Sequence, residues 1–164
     1  MSIQYLAYGS NLCTARLVAR IGQLKVLQTV TLNGWQVLFS KRGSDGSGKC
    51  SLEQVASTCA YAVLFEIPES ARPVLDKIEG VGHGYHGEWI EVEGVGRCYT
   101  YLVDPDYRDI SLKPFDWYKT LVVYGAREHQ LPPAYVSTLV ATESIADPDQ
   151  ERTRVNLSVI EAND

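Results

Sequence analysis

The sequence lacks the cysteine and histidine patterns that are typical of structural metal sites and redox motifs. Its four cysteines lie at positions 13, 50, 59 and 98 with no C-x-x-C pair, and the chain contains only three histidines. We therefore interpret the cysteines as reduced thiols, some of them buried as small apolar residues. This interpretation predicts a cytoplasmic protein.

Long apolar runs and clustered basic residues are also missing. No apolar run approaches the roughly 20 residues of a membrane span, and no basic segment precedes an apolar one at the N-terminus. Neither a membrane partner nor a signal peptide is expected. The formal net charge is −5 and Lys41-Arg42 is the only adjacent basic pair, so no nucleic-acid partner is expected either.

The composition is otherwise that of an ordinary globular domain. Of the 164 residues, 45% are hydrophobic and 21% are charged, which suffices for one core with a pocket. We predict a single domain over residues 1–145. Because the periodicity from Ala146 onward is weak, residues 146–164 are predicted to form a C-terminal tail, partly disordered or packed on the domain. A monomer and a homodimer are both compatible with this pattern.

Strand patterns dominate the first two-thirds of the chain. Asn33-Gly34 between two apolar runs predicts a hairpin, and Glu93-Gly94 predicts another. Other segments predict strands over residues 3–8 and 59–67 and helices over residues 12–21, 68–78, 116–129 and 134–142. The inner side of the second helix is predicted to carry Ala71, Val74, Leu75 and Ile78. We predict an α+β fold: a small mixed, largely antiparallel β-barrel flanked by helices.

The segment Tyr8-Gly9-Ser10-Asn11, between the first predicted strand and helix, is the most informative in the chain. Glycine lets the backbone approach a ligand closely, and the amides at the start of a helix form a concave site for anions. We also expect a positive φ at Gly9. The alternative is an ordinary loop in which Asn11 or Thr14 caps the helix.

Glu79 stands at the end of the second predicted helix, directly before Gly80, Gly82 and Gly84. The helix macrodipole disfavours a carboxylate at this end, and local rules are often broken at functional sites. The alternative interpretation is that Glu79 has no functional role and is a solvated carboxylate at the end of the helix. Asp76, one turn earlier, is predicted to be dispensable for chemistry.

Two alternatives involve other side chains. His83, His86, Glu79 and Glu88 have ligand-like spacings, but the intervening glycines disfavour a helix, so no metal site is predicted. The segment Gly43–Cys50 fits G-x-x-x-x-G-K and would make the protein a P-loop nucleotide-binding protein. Against this interpretation, Cys50 replaces the hydroxyl that ligates Mg²⁺, and the flanking hairpins do not form a parallel sheet.

Taken together, the motifs resemble the γ-glutamylcyclotransferase family, with its γ-glutamylamine cyclotransferase and plant avirulence-induced-like relatives. Four pieces carry the resemblance in order: residues 5–12, residues 75–80 with Tyr85, residues 98–102, and residues 118–135. Residues 42–58 do not align with confidence, so one wall of the pocket and the leaving group stay open.

The resemblance implies a lyase that cyclises the γ-glutamyl group of a peptide or amine to 5-oxoproline and releases the amine. A small-molecule substrate is implied, with no metal or organic cofactor. Glu79 is implied as the acid/base, and the substrate-binding residues are implied to be Tyr8, Gly9, Ser10, Asn11, Tyr85, Tyr101 and Tyr118. A module that binds a γ-glutamyl or amino-acid ligand without turnover is the alternative.

Overall fold

The chain forms five β-strands and five α-helices within the residues that the structure describes. The computed structural model describes residues 1–162. The strands are β1 (Ser2–Ala7), β2 (Lys25–Arg42), β3 (Gly48–Pro68), β4 (Tyr85–Val92) and β5 (Gly96–Val103). The α-helices are α1 (Thr14–Ile21), α2 (Arg72–Glu79), α3 (Asp116–Glu128), α4 (Pro133–Ala141) and α5 (Gln150–Glu161). Short 3₁₀ helices span Ser10–Leu12, Glu69–Ala71 and Pro105–Tyr107. No α-helix within residues 1–162 is long and apolar enough to cross a membrane.

The strands form one five-stranded sheet in the order β2-β3-β1-β5-β4. The pairs β2–β3, β3–β1 and β5–β4 are antiparallel, and β1 pairs with β5 in parallel. This confirms the mixed, largely antiparallel α+β fold. The predicted closed barrel is wrong, because the segment after β5, and not β4, reaches the end of β2 through a single bridge between Lys41 and Arg108.

The dipeptide Asn33-Gly34 bends a long strand and does not end it. Asn33 pairs with Cys59 and Trp35 pairs with Gln54, so the single residue between them in β2 lies opposite four residues of β3. Gly34 has a φ of +78°, a conformation that serves a bulge as well as a hairpin turn. The predicted hairpin at this position is therefore wrong, and the ribbon of β2 and β3 is bent instead.

The tip of that ribbon is the segment that resembles a P-loop in sequence. Gly43 N donates to Ser47 O and Gly46 N donates to Gly43 O, which closes a tight turn. Lys49 Nζ is held by Asp45 Oδ2 at 2.8 Å. A P-loop leads from a strand into a helix, whereas this turn leads into the antiparallel strand β3, so the fold does not provide that geometry.

Helix α3 provides the apolar layer against the 3₁₀ turn that follows β1. Tyr118, Leu121, Val122 and Gly125 lie on one face of this helix and are all buried. Helix α2 differs from its prediction: Ala71 and Leu75 are buried, but Val74 and Ile78 are 48% and 43% exposed. The helix ends at a Gly80 cap, and Ile78, one turn from that end, lines a cavity and is not part of the core.

The segment from residue 146 onward contains α5, which packs on α1 and α3. Asp147 anchors it, because its buried carboxylate accepts hydrogen bonds from Trp117 Nε1 at 2.8 Å and Arg152 Nε at 2.6 Å. The Arg152 guanidinium holds the pKa of Asp147 well below its usual range. Residues 163 and 164, which belong to the predicted tail, lie outside the described residues.

A carboxylate links α2 to the sheet. Asp76 Oδ1 accepts hydrogen bonds from Tyr99 OH at 2.8 Å and Tyr101 OH at 2.7 Å, both on β5. The two tyrosines are buried, so the carboxylate satisfies donors that water reaches poorly. Asp76 therefore positions α2, and with it Glu79.

Replacing Gly125 by alanine is expected to destabilise the fold. The added Cβ would lie 2.3 Å from Cys13 N and Leu12 C, which are backbone atoms that cannot move alone. We expect Gly125→Ala to lower the free energy of unfolding by about 3 kcal/mol, at the upper end of overpacking costs. Urea unfolding measures this change. Thr120→Ala, at an exposed position of the same helix, is the control and should stay within about 0.5 kcal/mol.

Two substitutions of Asp76 distinguish the contribution of its hydrogen-bond acceptor to stability from the contribution of its charge. Asp76→Ala leaves two buried hydroxyls without an acceptor and is expected to cost about 2 kcal/mol of stability, since each such group costs about 1–3 kcal/mol. Asp76→Asn keeps the Oδ1 acceptor and should lose less and keep most activity. Thermal unfolding tests the order wild type, Asn, Ala; exposed Asp106→Ala is the control. Equal melting temperatures for all variants would contradict the role assigned to Asp76.

Candidate active site

A narrow pocket of about 30 Å³ lies where the end of β1, the start of β3 and the end of α2 meet. It opens onto a larger cavity of about 430 Å³, with which it shares Ser10, Glu79, Tyr85 and Tyr118. We call these the inner pocket and the outer cavity. The inner pocket is lined by all the residues that the sequence singled out and by two others: Tyr8, Gly9, Ser10, Asn11, Glu79, Tyr85, Tyr101 and Tyr118, with Tyr5 and Cys50.

The turn after β1 presents free backbone donors to the inner pocket. Within residues 1–162, no acceptor bonds the N–H groups of Gly9, Ser10 and Asn11, which begin the 3₁₀ helix. The φ of Gly9 is −110°, so the predicted positive φ is wrong. Glycine is required by space instead, because a Cβ would lie 3.0 Å from Cys50 Cβ and 3.3 Å from Tyr118 OH.

Asn11 holds the catalytic candidate and does not cap α1. Its Nδ2 donates to Tyr5 OH at 2.9 Å and to Glu79 Oε1 at 3.0 Å. The N-cap of α1 is Cys13, with no side-chain capping bond. Both capping candidates considered from the sequence, Asn11 and Thr14, are therefore wrong. The Asn11 amide instead joins the turn to the end of α2.

Glu79 is held at one carboxylate oxygen only. Arg20 Nη1 lies 2.6 Å from Glu79 Oε1, the oxygen that also accepts from Asn11. No donor within residues 1–162 contacts Oε2, and the side chain is 17% exposed. The Arg20 charge compensates the unfavourable helix C-terminus. Arg20 follows Asn11 by nine residues and lies in no local motif, so it could not be selected from the sequence.

The tyrosines shape the pocket through hydrogen bonds to the backbone. Tyr8 OH donates to Tyr101 O at 2.6 Å, Tyr85 OH donates to Cys50 O, and Tyr118 OH accepts from Cys50 N at 2.9 Å. Burial raises the pKa of Tyr8, Tyr85 and Tyr118 well above the usual value. These hydroxyls are therefore neutral at pH 7, and they orient groups without acting as bases.

Cys50 lies inside the pocket but is not an activated nucleophile. Burial raises the pKa of its thiol to about 12, so the thiolate is scarce at neutral pH. It comes from the segment 42–58, which does not align with the family, so the sequence placed Cys50 in a P-loop-like motif and not in this pocket. Its backbone, clamped by Tyr85 and Tyr118, fixes the wall opposite Gly9.

The histidines of the metal alternative lie elsewhere. His83 borders the outer cavity, whereas His86 Nδ1 is 2.7 Å from Asp104 Oδ1 beyond it. In the part of the chain that the structure describes, no three His, Cys, Asp or Glu residues are grouped to hold a metal ion.

Comparisons with known proteins agree with this arrangement. A family model described as the AIG2-like family matches residues 60–139. Human γ-glutamylcyclotransferase is 29% identical over 153 residues, which cover 87% of this chain and 79% of that protein.

Solved structures share the fold. A structure named γ-glutamyl cyclotransferase superimposes with a TM-score of 0.80 at 24% identity, covering 94% of this chain and 99% of its own. YkqA from Bacillus subtilis gives a TM-score of 0.73 at 23% identity, covering 88% of this chain and 56% of its own. The family model, the human relative and the fold agree with one another: the chain is similar to γ-glutamylcyclotransferases in sequence and shares their fold.

Proposed function

We propose that this protein is a cofactor-independent lyase that cyclises a γ-glutamyl group to 5-oxoproline and releases the amine. The observation that carries the proposal is the free Oε2 atom of Glu79, which shares a pocket with the free amides of Gly9, Ser10 and Asn11. A proton acceptor and an anion cradle are the two parts that such a reaction needs. The family supports this chemistry, since human γ-glutamylcyclotransferase is a relative.

The substrate must first be folded so that its two ends meet. In the proposal, the amides of the Gly9 turn bind the α-carboxylate, and the tyrosine-lined wall confines the short methylene chain. Holding the α-amine against the γ-carbonyl carbon converts an improbable encounter into a near-attack geometry. The rigid walls favour this role, because the hydroxyls of Tyr8, Tyr85 and Tyr118 are already fixed by backbone partners.

Glu79 then moves one proton. Its Oε2 takes a proton from the α-ammonium group, the freed amine forms a bond to the γ-carbonyl carbon, and a tetrahedral oxyanion develops. Glu79 returns this proton to the leaving nitrogen, and collapse breaks the bond to that nitrogen. The ring nitrogen then gives its remaining extra proton to the released amine, which departs as an ammonium ion. A positioned carboxylate can serve first as the base and then as the acid, because the proton that it accepts is the proton that it returns.

Arg20 and Asn11 position this carboxylate. They bind Oε1 and thereby direct Oε2 toward the pocket. Since both act through Glu79, we propose them as positioning residues and not as catalytic residues.

A panel of γ-glutamyl amino acids, γ-glutamyl amines and glutathione tests the proposal. Formation of 5-oxoproline, measured by mass spectrometry, is the expected result for at least one member. The second candidate function is a binding module, which the narrow inner pocket favours because 5-oxoproline is itself compact. Binding of 5-oxoproline with no turnover of any panel member would support the module and refute the lyase.

Glu79→Gln is expected to lower kcat by about 10²- to 10⁴-fold, since the amide keeps shape but cannot shuttle a proton. Binding of 5-oxoproline should persist, because the Gly9 turn is untouched. Stability should fall slightly with loss of the Arg20 ion pair, contrary to the gain that relief of the macrodipole alone suggests. Glu93→Gln, in the exposed turn between β4 and β5, is the control. Equal rates for wild type and Glu79→Gln would exclude the mechanism.

Gly9→Val should damage activity more than Ser10→Ala does. A side chain at Gly9 would collide with Cys50 and the Tyr118 hydroxyl and obstruct the cradle. Ser10→Ala removes only a hydrogen bond from Arg16 Nε. Steady-state kinetics on variants whose folding is verified by circular dichroism provides the measurement. A folded Gly9→Val protein with normal turnover would show that substrate is held elsewhere.

A further inference from the structure

The outer cavity is strongly cationic. Its lining includes Arg16, Arg20, Lys41, Arg42 and Lys49, whereas Glu79 is the single carboxylate among its lining residues. This is unusual for a chain with a formal net charge of −5. The positive charge is therefore concentrated beside the proposed catalytic group.

Three of these cations are neutralised by carboxylates. Arg20 pairs with Glu79 at 2.6 Å, Arg42 with Asp109 at 3.1 Å, and Lys49 with Asp45 at 2.8 Å. Because each of these cations already has a carboxylate partner within the protein, none of the three by itself indicates a ligand.

Lys41 has no such partner. It is only 7% exposed, yet its Nζ bonds no acceptor and lies within 4 Å of no carboxylate in residues 1–162. Its recorded contact is the face of Tyr85, with Nζ 4.7 Å from the ring centroid. Although the residue is largely buried, Nζ is not one of the buried polar atoms without a partner, so the ammonium group borders the cavity. Its cation–π contact provides only part of the stabilisation that a carboxylate would give. The group lines the cavity and is available to an anion there.

Arg16 is the second unpaired cation. It is 8% exposed and bonds two neutral groups, Ser10 Oγ at 3.2 Å and Asn156 Oδ1 at 2.8 Å, with no carboxylate within 4 Å in the described chain. Burial lowers the pKa of Arg16 to about 10, which leaves it charged at neutral pH. Its bond to Ser10 places it beside the Gly9 turn.

We infer that the outer cavity is the subsite for the leaving group, and that the preferred leaving amine carries two carboxylates, as an acidic amino acid does. This inference rests on the proposed function. With the γ-glutamyl group in the inner pocket and its carbonyl at Glu79, the amine must extend into the outer cavity. Two unpaired buried cations match two carboxylates, whereas an uncharged leaving amine would leave both unpaired.

Two isosteric substrates test the inference. γ-Glutamylglutamate and γ-glutamylglutamine differ by one negative charge on the leaving group. Wild-type protein is expected to prefer γ-glutamylglutamate by about tenfold or more in kcat/KM at low salt, and this ratio should fall as ionic strength rises. Lys41→Met should bring the ratio close to one, and Lys41→Arg should restore much of it. Lys113→Met, which removes an exposed cation paired with Glu143, should leave the ratio unchanged.

The outcomes separate the inference from the function. Turnover of both substrates with a wild-type ratio near or below one overturns the inference and leaves the lyase intact. If no panel member yields 5-oxoproline, the proposed function fails, and the two ligands are compared by calorimetry on wild-type protein. Tighter binding of γ-glutamylglutamate that is weakened by Lys41→Met then supports an anionic subsite, whereas equal or absent binding overturns it.

Discussion

The contact of Asn11 with Glu79 and Arg20 is the interaction on which the rest of the site depends. It joins the turn after β1 and the adjacent helix α1 to the end of α2, from which Asn11 and Arg20 are separated by 68 and 59 residues. Arg20 Nη1 reaches both Asn11 Oδ1 at 2.9 Å and Glu79 Oε1 at 2.6 Å, so one guanidinium nitrogen fixes both acceptors. A carboxylate at a helix C-terminus would otherwise be repelled by the helix and turn toward solvent.

Packing supports this contact from behind. Gly125 lets α3 lie directly against the backbone of Leu12 and Cys13, which holds the turn in place. Asp76 holds α2 to β5 through two tyrosine hydroxyls. The site is therefore built on rigid elements on both sides, and its polar groups are set before any ligand binds.

Local pattern predicted much of the fold and the inner pocket. Apolar periodicity was enough for α1, α3, α4 and the hairpin of β4 and β5, because each of these has one buried face and a clear turn or cap. The Y-G-S-N turn could be selected because it leaves backbone donors free. Glu79 before Gly80 could be selected because a carboxylate at a helix C-terminus breaks a local rule.

Features that depend on long-range contacts were not predictable in this way. The Asn33-Gly34 dipeptide has the same local signal in a hairpin and in a bulge, and only the pairing of β2 with β3 distinguishes them. Arg20, Lys41 and Cys50 gain meaning from neighbours that lie at least 35 residues away. Their immediate sequence does not link any of them to this site. The open sheet, too, depends on which segment reaches β2 after all strands have formed.

The outer cavity and the inner pocket draw their charged groups from different parts of the chain, and the bent ribbon of β2 and β3 is the part that carries most of the cations. The catalytic candidate and the anion cradle come from β1, the turn that follows it and α2, whereas Lys41, Arg42, Gly43, Ser44 and Lys49 all belong to the ribbon and its tip. Changes in the length or charge of the tip would therefore alter one wall of the outer cavity, whereas the elements that carry Glu79 and the Gly9 turn lie outside the ribbon. Under the proposed function, the same fold could therefore acquire new substrates through changes confined to the tip of this ribbon.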